Sequence, residues 1–353
     1  MTKIPDSQKV LSVGYVGTGP YSFYGTYTHA INTIFRTYNY YNMRITHIWG
    51  DDYAKNYKGS PEFMKKWKDF WSDDKHSPEA HAKIAGIPNV CSDFSDMVDE
   101  VDAAMIMDYD RAYELSEPFL KAGKPIYIVN PVAKSIPECE RILDLAESTG
   151  TAVYTGSYTQ DKHDNRILDL KVKRDEIASY FSMTAFAFYT SYANDGLDPL
   201  HRLIGGGVRK VSLHGWDGSH GYEPHDTPVC RIHLEHEPRG DHPPIQGVLT
   251  LGGYRKYAEW YKVYYHDNTI LEGIDNTNWS KFELTVRDLL LAIQEVFATN
   301  KSLETRDDIL QKLRVNIAAY KSANEGGRPV DVNEVGDFQL PTVRIEKWDE
   351  IPE

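Results

Sequence analysis

Three groups of residues carry the chemistry available to this sequence. The first is the turn Gly17-Thr18-Gly19-Pro20-Tyr21-Ser22, a Gly-x-Gly-x-x-Ser pattern. Glycines at such spacing let the chain turn tightly and bring backbone N–H groups against a phosphate. Ser22 stands where a third glycine would support close helix–strand packing, and serine is small enough to substitute there. The second group is Asp51 and Asp52. Acids at the end of a second strand accept hydrogen bonds from ribose hydroxyls and repel a 2′-phosphate, which selects NAD over NADP; a plain turn is the competing reading of the pair. The interval from Gly19 exceeds the usual ~20 residues, so the intervening helix or its exit is extended. The third group is Asp198 and His201, three apart and able to share a helix face. A histidine beside a carboxylate serves as acid or base, while simple packing of His201 on its helix remains equally open.

Those residues need strands and helices to hold them. Val10–Val16 is a short valine-rich run that reads as a buried parallel strand. Residues 29–35 suit the first crossover helix, and Arg44–Trp49 the second strand. Residues 53–80, polar and aromatic, read as an inserted helical segment or lid. Ile87–Val90 and Val101–Met107 are further strands, the latter ending at Asp108 and Tyr109, which places both at the cofactor edge. Lys124–Val129 leads into Asn130-Pro131. Ser135-Ile-Pro-Glu138 reads as a capping box, opening a helix with Cys139, Ile142, Leu143 and Ala146 on one face. Thr151–Thr155 closes the sheet. Strands alternating with helices in this rhythm specify an α/β fold with a doubly wound parallel sheet, a Rossmann-type domain over residues 1–155.

The second half changes character. Phe181–Tyr189 reads as a strand leading to a loop around Asp195, with His201 near a helix start. Gly247–Tyr265 forms two long strands and a hairpin at 266–269 continues into Ile270. Alternation puts Trp260, Lys262 and Tyr264 on one face and Tyr261, Val263 and Tyr265 on the other. Aromatics on both faces call for helices on one side and a second subunit on the other, giving a homodimer or homotetramer. Val286, Leu289, Leu290, Ile293, Val296 and Phe297 form a helical core stripe. A domain over 156–330 for substrate binding and oligomerisation, then a tail over 331–353 crossing the surface, completes the layout.

Composition excludes several function classes. A net charge of -13 over 353 residues argues against nucleic acid or an anionic membrane as partner. No run approaches the ~20 apolar residues of a membrane span, and the first nine residues lack the apolar core of a signal peptide. Cys91, Cys139 and Cys230 are too few and too scattered for a disulfide scaffold and suit a reducing cytoplasm. Of the thirteen histidines, His233 and His236 fall on opposite strand faces and none shows a ligand pattern, so no metal is expected.

Three segments resemble one family. Val16-Gly-Thr-Gly19, Ala122-Gly-Lys-Pro-Ile-Tyr-Ile-Val-Asn-Pro-Val-Ala133 and Ala318-Ala-Tyr-Lys-Ser-Ala-Asn-Glu-Gly-Gly-Arg-Pro-Val330 are similar, in order, to segments of the Gfo/Idh/MocA oxidoreductases. The resemblance implies a Rossmann domain followed by an α/β domain whose large open, mostly antiparallel sheet commonly mediates dimerisation. It implies hydride transfer between NAD and a sugar or polyol-like small molecule. It also exposes departures. The family's Glu-Lys-Pro is Val129-Asn130-Pro131 here, and an amide does not titrate. The family's aspartate and histidine positions fall on Ser191 and Asp195, and only the last acid, Asp198, is kept. Asp195, Asp198 and His201 are the expected proton handlers, then Tyr158 and His163 on the substrate loop, with Asn130 orienting substrate or carboxamide. Two other readings follow from the departures: a redox-inactive dinucleotide and sugar sensor, and an NAD-assisted glycosidase.

Overall fold

A computed structural model describes residues 10–17, 32, 42–50, 77–156, 172–184, 192–215, 229–252, 258–276 and 282–341. The first sheet comprises β1 (Leu11–Val16), β2 (Met43–Trp49), β3 (Asn89–Val90), β4 (Ala103–Ile106), β5 (Ile126–Ile128) and β6 (Val153–Tyr154). Their order is β3-β2-β1-β4-β5-β6, with every pairing parallel. Both faces are covered, as near-continuous apolar strands require. Val13, Tyr15, Ala103 and Met105 pack into one core cluster, whereas Val16, Ala104 and Ile106 pack into another on the opposite face.

Helices α1 (Pro78–Ala85), α2 (Ala112–Lys121) and α3 (Ile136–Thr149) belong to this layer. Ser77 caps α1, and Gly86 and Gly150 close α1 and α3 in left-handed conformation. Cys139, Ile142, Leu143 and Ala146 are buried on α3 as the pattern predicts. The capping box is only half formed: Ser135 Oγ accepts from Glu138 N, but the Glu138 carboxylate accepts from the backbone of Lys134 and Tyr113 instead. Burial pushes that carboxyl upward, and the two N–H donors partly offset the rise.

The second sheet contains β7 (Ile177–Thr184), β8 (Val208–His214), β9 (Cys230–His236), β10 (Gln246–Leu251), β11 (Ala258–Tyr265), β12 (Ile270–Asn276) and β13 (Val330–Asp331), in the order β12-β11-β7-β10-β9-β8-β13. All pairs are antiparallel except β7 with β10, so the sheet is mixed and β7 separates β10 from β11. Tyr261, Val263 and Tyr265 are buried and Trp260, Lys262 and Tyr264 face outward. Helices α4 (Tyr192–Ile204) and α6 (Arg306–Asn324) cover the inner face.

Two expectations need correction. Asp195 does not sit in a loop, and His201 is in the last turn of α4 rather than at a helix start. Pro199 lies inside that helix; the buried stripe Leu197, Leu200, Leu203 and Ile204 outweighs the one backbone bond it removes. The expected core stripe lies on α5 (Phe282–Thr299): Leu289, Leu290, Ile293, Val296 and Phe297 join the core of the first sheet. Gln294 Oε1 accepts from Asn42 N, and Asn300 bridges Ala152 and Gly150. The tail returns too, with Leu340 N donating to Lys134 O and the Tyr109 hydroxyl to Pro341 O.

Candidate active site

The strand order reverses between β1 and β4, and ligands of open α/β sheets bind at the carboxyl ends of strands beside such a reversal. Gly17 ends β1 there with φ +100°, a conformation that disfavours any side chain. A Cβ at this position would stand 3.2 Å from Asp108 Cβ and 3.4 Å from Asp108 N. The β1 and β4 exits thus approach each other closely at Gly17. Gly19, Pro20, Tyr21, Ser22, Asp51 and Asp52 lie outside the described residues, as do Tyr158, His163 and Ser191. Asp195 is placed on α4, three residues before Asp198.

Asp108 caps the short 3-10 turn Tyr109–Arg111 by accepting from Asp110 N at 2.9 Å. Tyr109 is buried and its hydroxyl holds the tail. Both stand on the expected edge, in scaffold contacts.

The loop after β5 brings Asn130 to the same edge, through a cis bond to Pro131. Its amide is gripped from both ends. Thr155 Oγ1 donates to Asn130 Oδ1 at 2.9 Å, and Asn130 Nδ2 donates to Asp198 Oδ2 at 3.0 Å. Since a carboxylate has no proton to give, the amide nitrogen must face Asp198. Lys312, from α6, places Nζ 3.6 Å from Asp198 Oδ1, 3.4 Å from the Thr155 carbonyl and 2.5 Å from Glu304 Oε1. Asn130 is 8% exposed, Asp198 1%, Thr155 2% and Lys312 5%, so these contacts form away from bulk water.

His201 takes a different partner from Asp198. Its Nε2 donates to Asp308 Oδ1 at 3.0 Å, tying α4 to the start of α6, where Asp308 also completes a capping box with Thr305. Burial lowers the His201 pKa, and the Asp308 bond opposes that shift. Behind it, His236 is buried against Tyr180. His236 Nδ1 donates weakly to the Gly206 carbonyl at 3.4 Å, so Nε2 accepts the Tyr180 hydroxyl at 2.8 Å. Desolvation brings His236 down to about 4 and drives the Tyr180 phenol well up. The cavity between Tyr180, His201, His236 and Lys312 measures ≈ 20 Å³, room for about one water and far too little for a sugar.

The sequence reading missed Thr155, Glu304 and Lys312. Lys312 and Asn316 did leave a signal: both fall on the buried stripe that includes Ile309, Leu313, Ile317 and Tyr320 of α6. A charge on an apolar helix stripe needs a partner. Among the described residues no cluster of three His, Cys, Asp or Glu could hold a metal. No described helix is long and apolar enough to cross a membrane.

A parallel sheet of this order, with a left-handed glycine at the end of its first strand, has the architecture of a Rossmann fold. Residues 45–157 match the Gfo/Idh/MocA family model, described as an oxidoreductase family with an NAD-binding Rossmann fold. Of the three segments that carry the resemblance, Ala122–Ala133 lies within this match. No curated protein sequence matches the chain. The fold as a whole is similar to a probable dehydrogenase from Thermotoga maritima at TM-score 0.65 and 13% identity, over 92% of this chain and 100% of that one. It is similar to scyllo-inositol dehydrogenase from Lactobacillus casei with bound NAD(H) and scyllo-inositol, at TM-score 0.63 and 16% identity over 92% and 100% of the two chains. The myo-inositol dehydrogenase of the same organism, in complex with NAD(H) and myo-inositol, gives TM-score 0.64 and 15% identity over 94% and 99%. At such identities the likeness is one of fold.

Proposed function

We propose that the protein is an NAD-dependent oxidoreductase acting on a sugar or polyol-like substrate, with a proton-handling set that differs from its family's. The observation that carries this reading is Asn130, held in one orientation where the family has its lysine and at the edge where the Gly17 cradle opens. Bound NAD would supply hydride acceptance from a carbon bearing a hydroxyl group. Gly17 and the turn after it hold the pyrophosphate, and Asp51 and Asp52 accept from the ribose. Asn130 keeps one Nδ2–H and one Oδ1 lone pair beyond its two protein bonds, enough to orient a hydroxyl or a carboxamide. Being an amide it takes no proton. That task falls to Asp195 on α4, or to Tyr158 or His163 from the substrate side, since Asp198 is already engaged by Asn130 and Lys312. His201 already gives its Nε2 proton to Asp308 and serves α4 mainly as a tether.

The outward face of the second sheet supports self-association as a homodimer or homotetramer. Phe181 and Trp260 meet there with ring centroids 5.3 Å apart, and Lys262 lies over Trp260 and Tyr264. Three free thiols suit a cytoplasmic setting.

The decisive experiment follows absorbance of NADH while NAD or NADP is offered with a panel of inositols, aldoses and uronic acids. Turnover with NAD, and weaker use of NADP, is the expected result. Tight NADH binding with no turnover on any member would favour the sensor reading, which the double engagement of the Asn130 amide also suits. Equal use of NADP would remove Asp51 and Asp52 from the ribose.

A further inference from the structure

We propose that Lys312 is a positioning residue for this site: it closes a buried ring that fixes which way the Asn130 amide faces. The inference rests on reading Asn130 as a ligand-facing group. Four side chains from four separate elements build the ring. Thr155 after β6 donates to Asn130 Oδ1, and Asn130 Nδ2 donates to Asp198 on α4. Lys312 on α6 then reaches both of Asn130's neighbours, the second Asp198 oxygen at 3.6 Å and the Thr155 carbonyl at 3.4 Å. Glu304 steadies the ammonium from the far side.

An asparagine amide left to itself flips at little cost, because its oxygen and nitrogen are nearly the same size. A flip would exchange the donor and acceptor that the site presents to a ligand. The ring forbids it for as long as Asp198 can only accept. The Lys312 ammonium is the described cation paired with that carboxylate. Without it, the Asp198 carboxylate and the Thr155 carbonyl lose the anchor they share, and the two groups that grip the amide are no longer held in one place. Lys312 therefore acts on Asn130 through Asp198, and it ties the closing helix of the second domain to the cofactor edge of the first. In this way a lysine contributes at a distance to a site whose loop carries none at the family's position.

The test uses the full-length protein labelled with 15N-asparagine, with the Asn130 side-chain resonances assigned by their loss in Asn130→Asp. Lys312→Met alone risks misfolding, so it is paired with Lys312→Met/Asp198→Asn; both carry Glu304→Gln as well, because Glu304 is buried against the same ammonium. On that background the double variant removes all three buried charges and leaves a residue that can face either way. The expected result for the double variant is a melting temperature near that of the parent, shifted or doubled Asn130 amide resonances, and NADH binding weakened about tenfold by fluorescence quenching. A well-folded double variant that keeps the parental resonances and the parental NADH affinity would overturn the proposal and leave Lys312 a structural ion pair. The resonances need no turnover. Should they respond to Lys312 while no polyol is oxidised, the positioning role stands and the dehydrogenase reading fails.

Discussion

Acidification should weaken this fold through one buried imidazole. His236 is 2% exposed, and in its neutral form Nε2 accepts the Tyr180 hydroxyl. Its pKa is lowered from 6.5 to about 4, chiefly by desolvation, with Arg239 and His201 adding repulsion. The unfolded chain therefore binds a proton between pH 6.5 and 4 that the folded chain refuses, and stability falls as pH falls through that window. Above pH 6.5 both states are neutral and nothing is lost; below about 4 both are charged and the loss levels off. The full shift corresponds to about 3 kcal/mol, of which about 2 to 3 kcal/mol is reached by pH 4.5. Urea unfolding followed by tryptophan fluorescence at pH 8 and pH 4.5 measures it, on the parent and on His236→Gln. Carboxylates titrate in both proteins, so their contribution cancels in the comparison. The parent should lose about 2 to 3 kcal/mol more than the variant over this range. Equal losses would mean that His236 protonates in the folded state near its ordinary value, and the argument from burial would be refuted.

Three further outcomes follow. Gly17→Ala forces a side chain into a left-handed backbone 3.2 Å from Asp108, and should cost about 1 kcal/mol or more of stability together with NADH affinity; unchanged values in calorimetry and thermal melts would separate Gly17 from the cradle. Asn130→Lys breaks the Thr155 bond and sets a second cation against Asp198 beside Lys312, so kcat should fall at least about tenfold; a faster variant would show that the missing lysine alone limits the chemistry. Trp260→Glu puts a charge on the outward face beside Glu272, and light scattering should report smaller particles than for the parent; a parent that is already monomeric would remove the interface argument.

The fold was legible because its causes are local. Valine-rich strands, Ser135 before a proline-led helix and Gly150 after it all state their structure within a few residues. The two-face alternation around Trp260 was equally plain. The placement of α5 was not, since an apolar stripe does not say which sheet it will cover. Pro199 is the opposite case: a helix breaker by type, it is absorbed by a helix whose Leu197, Leu200, Leu203 and Ile204 are buried. In the site, Asn130 and Asp198 could be named from their surroundings in the chain. Their contact could not, and neither could Thr155, Glu304 or Lys312, because that ring closes only when four elements distant in sequence meet.

The return of α5 to the first sheet reaches into how the chain is made. Val13, Met43, Ile48 and Met105 leave the ribosome early, but the helix whose Leu289, Ile293 and Val296 share their core follows only after β7 through β12. The N-terminal part therefore waits with apolar surface lacking its final cover while the second sheet is synthesised, the situation in which long-range contacts slow folding and invite aggregation. A fragment ending at Thr155 should be poorly soluble for that reason. The two halves then mature together, since the segment completing the first core is also the link that leads into α6 and Lys312.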